Sequence, residues 1–287
     1  WRMVMVTLSV GRRWLTAQVV LGLLVSLISF VSAEDEPQAK QRLKWMQEAL
    51  DNLEPQSSEL KTKAALTFGS RPLLRYNDPT RGGAGDKANL LLDAGVWRLG
   101  TEGRPTALVT VEIYRVNNRS HIMTFEFLSL TKAKCALKHK TEKIRWDPAA
   151  SALSLKKLPD APKPAATAAT RLVQMRQVAR RFVAKEIVHT DSIECRLLTQ
   201  PIDRYQSEAE KIVDGAIFVY ANGTNPELGV VLETDGKLWR YGTLRLTSAA
   251  SSVTLDGRQV AAYERFDTRG RTDGPYHSGG YEMDRGK

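Results

Sequence analysis

Two stretches of this chain repeat each other. Asp93–Ala94–Gly95–Val96–Trp97–Arg98–Leu99, a turn at Gly103, Pro105 and an apolar run to Glu112 form the first copy. Asp214–Gly215–Ala216–Ile217–Phe218–Val219–Tyr220, Gly223, Pro226 and a run to Glu233 form the second. Asp93, Pro105 and Glu112 precede their counterparts by 121 residues, and Gly95 and Gly103 precede theirs by 120. Such a period restricts the fold to copies of one supersecondary unit. A meander of three or four strands has an apolar face and two open edges, and is marginal alone. Two copies must bury those faces against each other, or join into one sheet covered by helices.

The pattern predicts an α+β, β-dominated fold. It comprises two tandem related antiparallel β-meander units, with one helix before the first and one helix between them. Residues 37–53 read as the first helix, because Leu43, Met46, Leu50 and Leu53 make a single apolar stripe. Residues 170–187 read as the second, with Leu172, Met175, Ala179, Phe182 and Val183 as the stripe. Arg176, Arg180, Arg181 and Lys185 give that helix a basic flank. Within residues 106–114, Ala107, Val109, Val111 and Ile113 share one strand face, while Leu108 breaks the polarity of the other. Asp256–Gly257 predicts a tight hairpin across residues 251–263.

The chain therefore parses into six segments. Residues 1–33 are a signal peptide, 34–60 the N-terminal helix and linker, and 61–150 the first β unit, with a glycine-rich surface loop at 80–87. Residues 151–190 hold a Pro-rich linker and the second helix, and 191–265 the second β unit. Residues 266–287, rich in Gly, Asp, Arg and Ser, read as a disordered tail.

Arg12–Arg13, an uncharged apolar stretch at residues 15–31, and small residues ending at Ala33 have the layout of a secretory signal cleaved after Ala33. A secreted or periplasmic location is expected, with a membrane contact only if that segment is retained. Removing residues 1–33 takes away Arg2, Arg12 and Arg13 and no acid, so the formal charge falls from +10 to +7. The remaining basic residues are scattered and do not interleave with aromatics, so no nucleic-acid partner is expected.

The chemistry-bearing residues are sparse. His121, His139, His189 and His277 share no metal-ligand spacing, so no metal site is expected, and no cofactor motif or nucleophile elbow occurs. No catalytic residue is assigned. Glu112 and Glu233 end equivalent strands, and across a pseudo-twofold cleft they would serve as an acid–base pair; solvated strand ends are the alternative. Arg75–Tyr76 and Arg204–Tyr205 are the stronger ligand-binding candidates. If the two pairs converge on a pseudo-twofold axis, four donors face one anionic group. A disulfide between Cys135 and Cys195 would close a loop of about 60 residues, worth on the order of 4 kcal/mol. Two buried thiols are the alternative.

Leu73–Leu74–Arg75–Tyr76–Asn77, Leu158–Pro159–Asp160–Ala161–Pro162, the helix at 171–182, Arg196–Leu197–Leu198–Thr199–Gln200–Pro201 and Asp214–Gly215–Ala216–Ile217–Phe218 carry a resemblance. Across residues 66–262 the chain resembles an uncharacterised secreted protein family of planctomycete bacteria. The resemblance implies export and this architecture, and carries no activity with it. The expectation is an exported, non-catalytic binding or interaction module of the periplasm or cell envelope, taking an anionic small ligand or an envelope component. The rival is a secreted enzyme with its site at the interface of the two repeats.

Overall fold

The computed structural model describes residues 36–56, 66–78, 90–116, 120–132, 135–188, 190–267 and 272–283. The leader at 1–33, the loop at 80–87 and the Asn117–Asn118 turn lie outside the described residues. Backbone contacts divide the chain into residues 1–41 and 42–287. Of the first unit, the opening of one helix is described; the second holds both repeats.

That helix, α1 (Glu36–Asp51), runs directly into β1 (Leu53–Gln56). The first repeat supplies β2 (Leu74–Asp78), β3 (Leu90–Leu99), β4 (Ala107–Arg115) and β5 (His121–Ser129). Short strands β6 (Ala136–His139), β7 (Arg145–Trp146) and β8 (Lys156–Lys157) follow. After helix α2 (Ala168–Ala179) come β9 (Phe182–Val188) and β10 (Asp191–Leu197). The second repeat is β11 (Asp203–Ser207), β12 (Ile212–Asn222), β13 (Asn225–Thr234) and β14 (Trp239–Arg245). The chain then adds β15 (Ala250–Leu255), β16 (Arg258–Tyr263) and β17 (Tyr276–Met283).

Two large sheets and a small three-stranded one result, and the β-dominated α+β expectation holds. The five-stranded sheet has the order β17-β5-β4-β3-β2. The nine-stranded sheet runs β16-β15-β9-β10-β12-β13-β14-β8, with β11 also paired to β12. Ala107, Val109, Val111 and Ile113 pack with Met46, Leu50, Leu137 and Trp146, so α1 and the small β1-β6-β7 sheet cover the outer face of the first sheet. Met175, Val178 and Ala179 of α2 pack with Phe182, Phe218, Trp239 and Val253, the nine-stranded sheet curling around that helix. Between the sheets lies a third cluster of Leu91, Val96, Leu108, Ile217, Val219, Val231 and Leu244. Leu108 breaks the strand's polarity because both faces of β4 are buried. Each such side chain contributes roughly 1.5–3 kcal/mol.

The pairing register carries the repeat more strictly than the glycines do. Ala94 faces Glu112 and Leu99 faces Ala107, while Gly215 faces Glu233 and Tyr220 faces Leu228, a uniform offset of 121. Gly95 is therefore equivalent to Ala216, not Gly215. A Cβ on Gly95 would sit 2.4 Å from the Trp97 ring, and one on Gly215 2.4 Å from the Tyr205 ring. The glycine has moved one position because a different aromatic, on a different face, needs the space.

Two expectations are corrected. The helix predicted over 170–187 ends at Ala179, and residues 182–188 are β9, paired with Ala250–Leu255 of β15. Phe182 and Val183 fit the helical stripe, but β-branched residues and a distant strand partner make this segment a strand. Arg180, Arg181 and Lys185 thus lie beyond the helix and give it no basic flank. The tail predicted to be disordered from residue 266 instead contains β17, which pairs along its whole length with β5. Its glycine-rich composition is compatible with an edge strand held by backbone pairing.

Candidate functional site

In each repeat a helix arginine and a strand arginine grip one buried aspartate. Arg75 donates to Asp93 from Nε (2.9 Å) and Nη2 (2.5 Å), and Arg42 of α1 adds a bond at 3.2 Å. Arg204 donates to Asp214 at 2.9 and 2.7 Å, and Arg171 of α2 adds one at 2.8 Å. The Thr167 hydroxyl, accepting from the Thr170 N–H at 3.2 Å, starts α2 just where Arg171 can reach the sheet. Arg75 and Arg204 therefore tie each sheet to its own helix, on opposite outer faces.

Their tyrosine neighbours point inward. The Tyr76 hydroxyl donates to Glu112 at 3.0 Å and the Tyr205 hydroxyl to Glu233 at 2.7 Å. Both tyrosines belong to the layer between the sheets. The candidate set Arg75, Tyr76, Arg204 and Tyr205 is thus not brought together: alternation along each strand sends Arg and Tyr to opposite faces. Nor do Glu112 and Glu233 line a shared cleft. Glu112 also accepts from Thr124 at 2.9 Å, while Glu233 is held by Arg104 of the first repeat at 2.6 and 2.8 Å. Arg98 similarly crosses between repeats to Asp203 at 3.0 Å. Burial pushes the Asp203 carboxyl up, against the pull of Arg98.

Cys135 and Cys195 are not bridged. Cys135 lies in the cluster under α1 and Cys195 in the cluster under α2, on opposite sides of the inter-sheet layer. Of the two readings of these cysteines, the structure shows two buried free thiols.

Where the layer between the sheets reaches its edge, Arg245, Tyr263, Phe266 and Tyr276 come together from β14, β16, the segment after it and β17. Arg245 closes β14, its Cζ 4.7 Å from the Tyr276 ring centroid and 5.7 Å from those of Tyr263 and Phe266. Arg245 Nε donates to the Thr247 carbonyl at 2.9 Å and Nη2 to the Ala249 carbonyl at 3.1 Å. Among the described residues Nη1 has no acceptor and the side chain forms no ion pair. A cavity of about 520 Å³ opens beside it, walled by Tyr263, Phe266, Tyr276, Pro275 and Ala152. Glu264, Arg265 and Asp267, all exposed, edge this cavity and are screened by solvent.

Beneath the cavity floor the Tyr276 hydroxyl donates to Glu126 at 2.6 Å. Burial first, then the nearby Glu112, push the Glu126 carboxyl well above the usual carboxylate range; Glu227 adds to this, and Tyr276 and Arg245 oppose it. Burial likewise raises the Tyr276 phenol and lowers the Arg245 guanidinium. The Arg245 guanidinium stays charged despite its partial burial. The result is a partly desolvated cation facing an aromatic cavity. Residues 245, 263, 266 and 276 carry no shared local motif, so sequence reasoning missed them. Among the described residues no cluster of His, Cys, Asp or Glu suits a metal ion.

The chain matches no protein-family model, no curated protein and no solved structure. The assignment of this site rests on its geometry.

Proposed function

We propose that the chain is an exported, non-catalytic binding module whose ligand is a small amphipathic anion received beside Arg245. The observation that carries this reading is the charge of Arg245. Its guanidinium lies half-buried among three aromatic rings, and among the described residues Nη1 has no acceptor. Such a cation is best satisfied by an anionic group entering from the cavity, with an apolar body against the rings. Export is supported by the leader pattern at residues 1–33. A secreted or periplasmic location goes with that reading.

Calorimetric titration with octanoate and, separately, with neutral 1-octanol tests this. Octanoate should bind at least tenfold more tightly than octanol, and Arg245→Met should abolish the difference. Equal binding of both, or an unchanged preference in the variant, would reject the site.

A further inference from the structure

We infer that His139 is an acid-sensitive latch: protonation of its ring opens the turn joining β6 to β7 and frees the C-terminal end of α1. The ring is buried, and its Nδ1 accepts from the Thr141 N–H at 3.3 Å and the Glu142 N–H at 3.0 Å. Only an unprotonated Nδ1 can accept two amides, so the neutral ring carries its proton on Nε2. Nε2 is buried and has no hydrogen-bond partner among the described residues. The ring instead meets Tyr281 at 5.4 Å and Phe125 at 6.2 Å, both at steep angles. A second proton, on Nδ1, would point at two amide hydrogens and must drive them away.

That turn also holds α1. The His139 N–H donates to the Ile144 carbonyl at 2.9 Å, closing the turn. Lys140 donates from its backbone to the Asn52 carbonyl and from Nζ to the Asp51 carbonyl, each at 2.9 Å. α1 has no basic residue in its own last turn, so Lys140 satisfies carbonyls that the helix end leaves open. Opening the turn withdraws both bonds at once and loosens the cover that Met46, Leu50 and Trp146 form over the first sheet.

The charged and titratable groups around the ring set the sign of its response. Its own turn supplies Lys140, Glu142 and the exposed Lys143, and β17 supplies Tyr281, whose phenol burial raises. At the end of α1 the Asp51 carboxylate is exposed and accepts from Gln47. β1 places Leu53 opposite His139, with exposed Glu54 on the alternate face. On β7 Arg145 faces Asp147, and His277 of β17 stacks on Phe127 instead. Burial pulls the His139 imidazole below the ordinary 6.5, against Glu142 and with Lys140. The opened turn returns water to the ring, and with it the ordinary value. Between 6.5 and the lowered value, the opening constant therefore rises about tenfold for each pH unit lost.

Hydrogen exchange of the intact protein, followed by NMR from about pH 7.5 to about pH 5, tests this. Protection of the Thr141 and Glu142 amides, corrected for intrinsic exchange, should fall by up to about tenfold per pH unit below 6.5. The Asp51 and Asn52 amides should follow, while Val230 and Val231 of β13 keep their protection. His139→Asn retains a side-chain acceptor for the two amides and cannot titrate, so its turn should stay closed throughout. Should that variant fail to fold, the wild-type ring nitrogens report directly: Nδ1 unprotonated at neutral pH, with a titration midpoint under 6.5. A midpoint at or above 6.5, or an equal pH response in the turn and in β13, would overturn the latch. Opening of the turn with Asp51 and Asn52 still protected would overturn its link to α1.

Discussion

Asp93 and Asp214 stand 121 residues apart, and each accepts hydrogen bonds from one helix arginine and one strand arginine. The duplication thus extends from the backbone to the ion pairs that dock each helix on its sheet. Side-chain exposure is 4% for Asp93 and 0% for Asp214, so neither charge has water to fall back on.

Removing either aspartate should be severe. Asp214→Ala leaves Arg171 buried without its carboxylate and should cost about 3–5 kcal/mol. Asp93→Ala strands Arg42 in the same way and should cost a similar amount. Arg204→Met should cost only about 1 kcal/mol, since its side chain is 31% exposed. Urea unfolding of the three variants measures all three values. A mild effect of Asp214→Ala would show that the clamp is not structural.

Glu126 makes stability depend on pH in a defined direction. Its folded value is raised above the ordinary 4.5 by burial and Glu112. Between 4.5 and that raised value the native state holds one proton more than the unfolded chain, so stability falls as pH rises. The loss is about 1.4 kcal/mol per pH unit within the window. Glu126→Gln should remove this slope relative to the wild type, and should be the more stable protein on the alkaline side. Parallel slopes in the two proteins would place Glu126 in water instead.

The thiols should behave as core residues. Burial pushes the Cys135 thiol up to about 12, so little thiolate forms at pH 8. Dithiothreitol should leave the melting temperature unchanged, and an alkylating agent should add two labels in urea without prior reduction. A mass two hydrogens short, restored by reductant, would indicate a bridge that the fold does not accommodate.

Strand β17 should be needed by the first sheet although it follows every other described strand. Truncation after Phe266 uncovers the full edge of β5 and removes Tyr276 from beside Arg245. Faster amide exchange along residues 121–129 and self-association are expected. Unaltered exchange there would mean that the pairing is not maintained in solution.

What the sequence revealed was local, and what it hid was not. Asp93/Asp214, Pro105/Pro226 and Glu112/Glu233 announced the repeat because strand register preserves their spacing. Residues 182–188 misled because their apolar positions continue the stripe of α2, and only one of the two strands that flank them, β10, is close in sequence, β15 lying more than sixty residues away. Arg75 and Arg204 were legible as special, but their role depends on Arg42, Arg171 and two aspartates reached only after the helices dock. The Arg245 cavity left no trace in the pattern, since β14, β16 and β17 meet there only in the folded chain.

The most direct test of the central claim is the side-chain Nε–Hε resonance of Arg245, assigned by its loss in Arg245→Lys and followed by nitrogen–proton NMR during titration with octanoate. The resonance should shift saturably, with a midpoint matching the calorimetric Kd, while those of Arg171 and Arg204 stay still in their aspartate clamps. A stationary Arg245 signal at saturating octanoate, or equal shifts across all three arginines, would contradict a ligand site at this position.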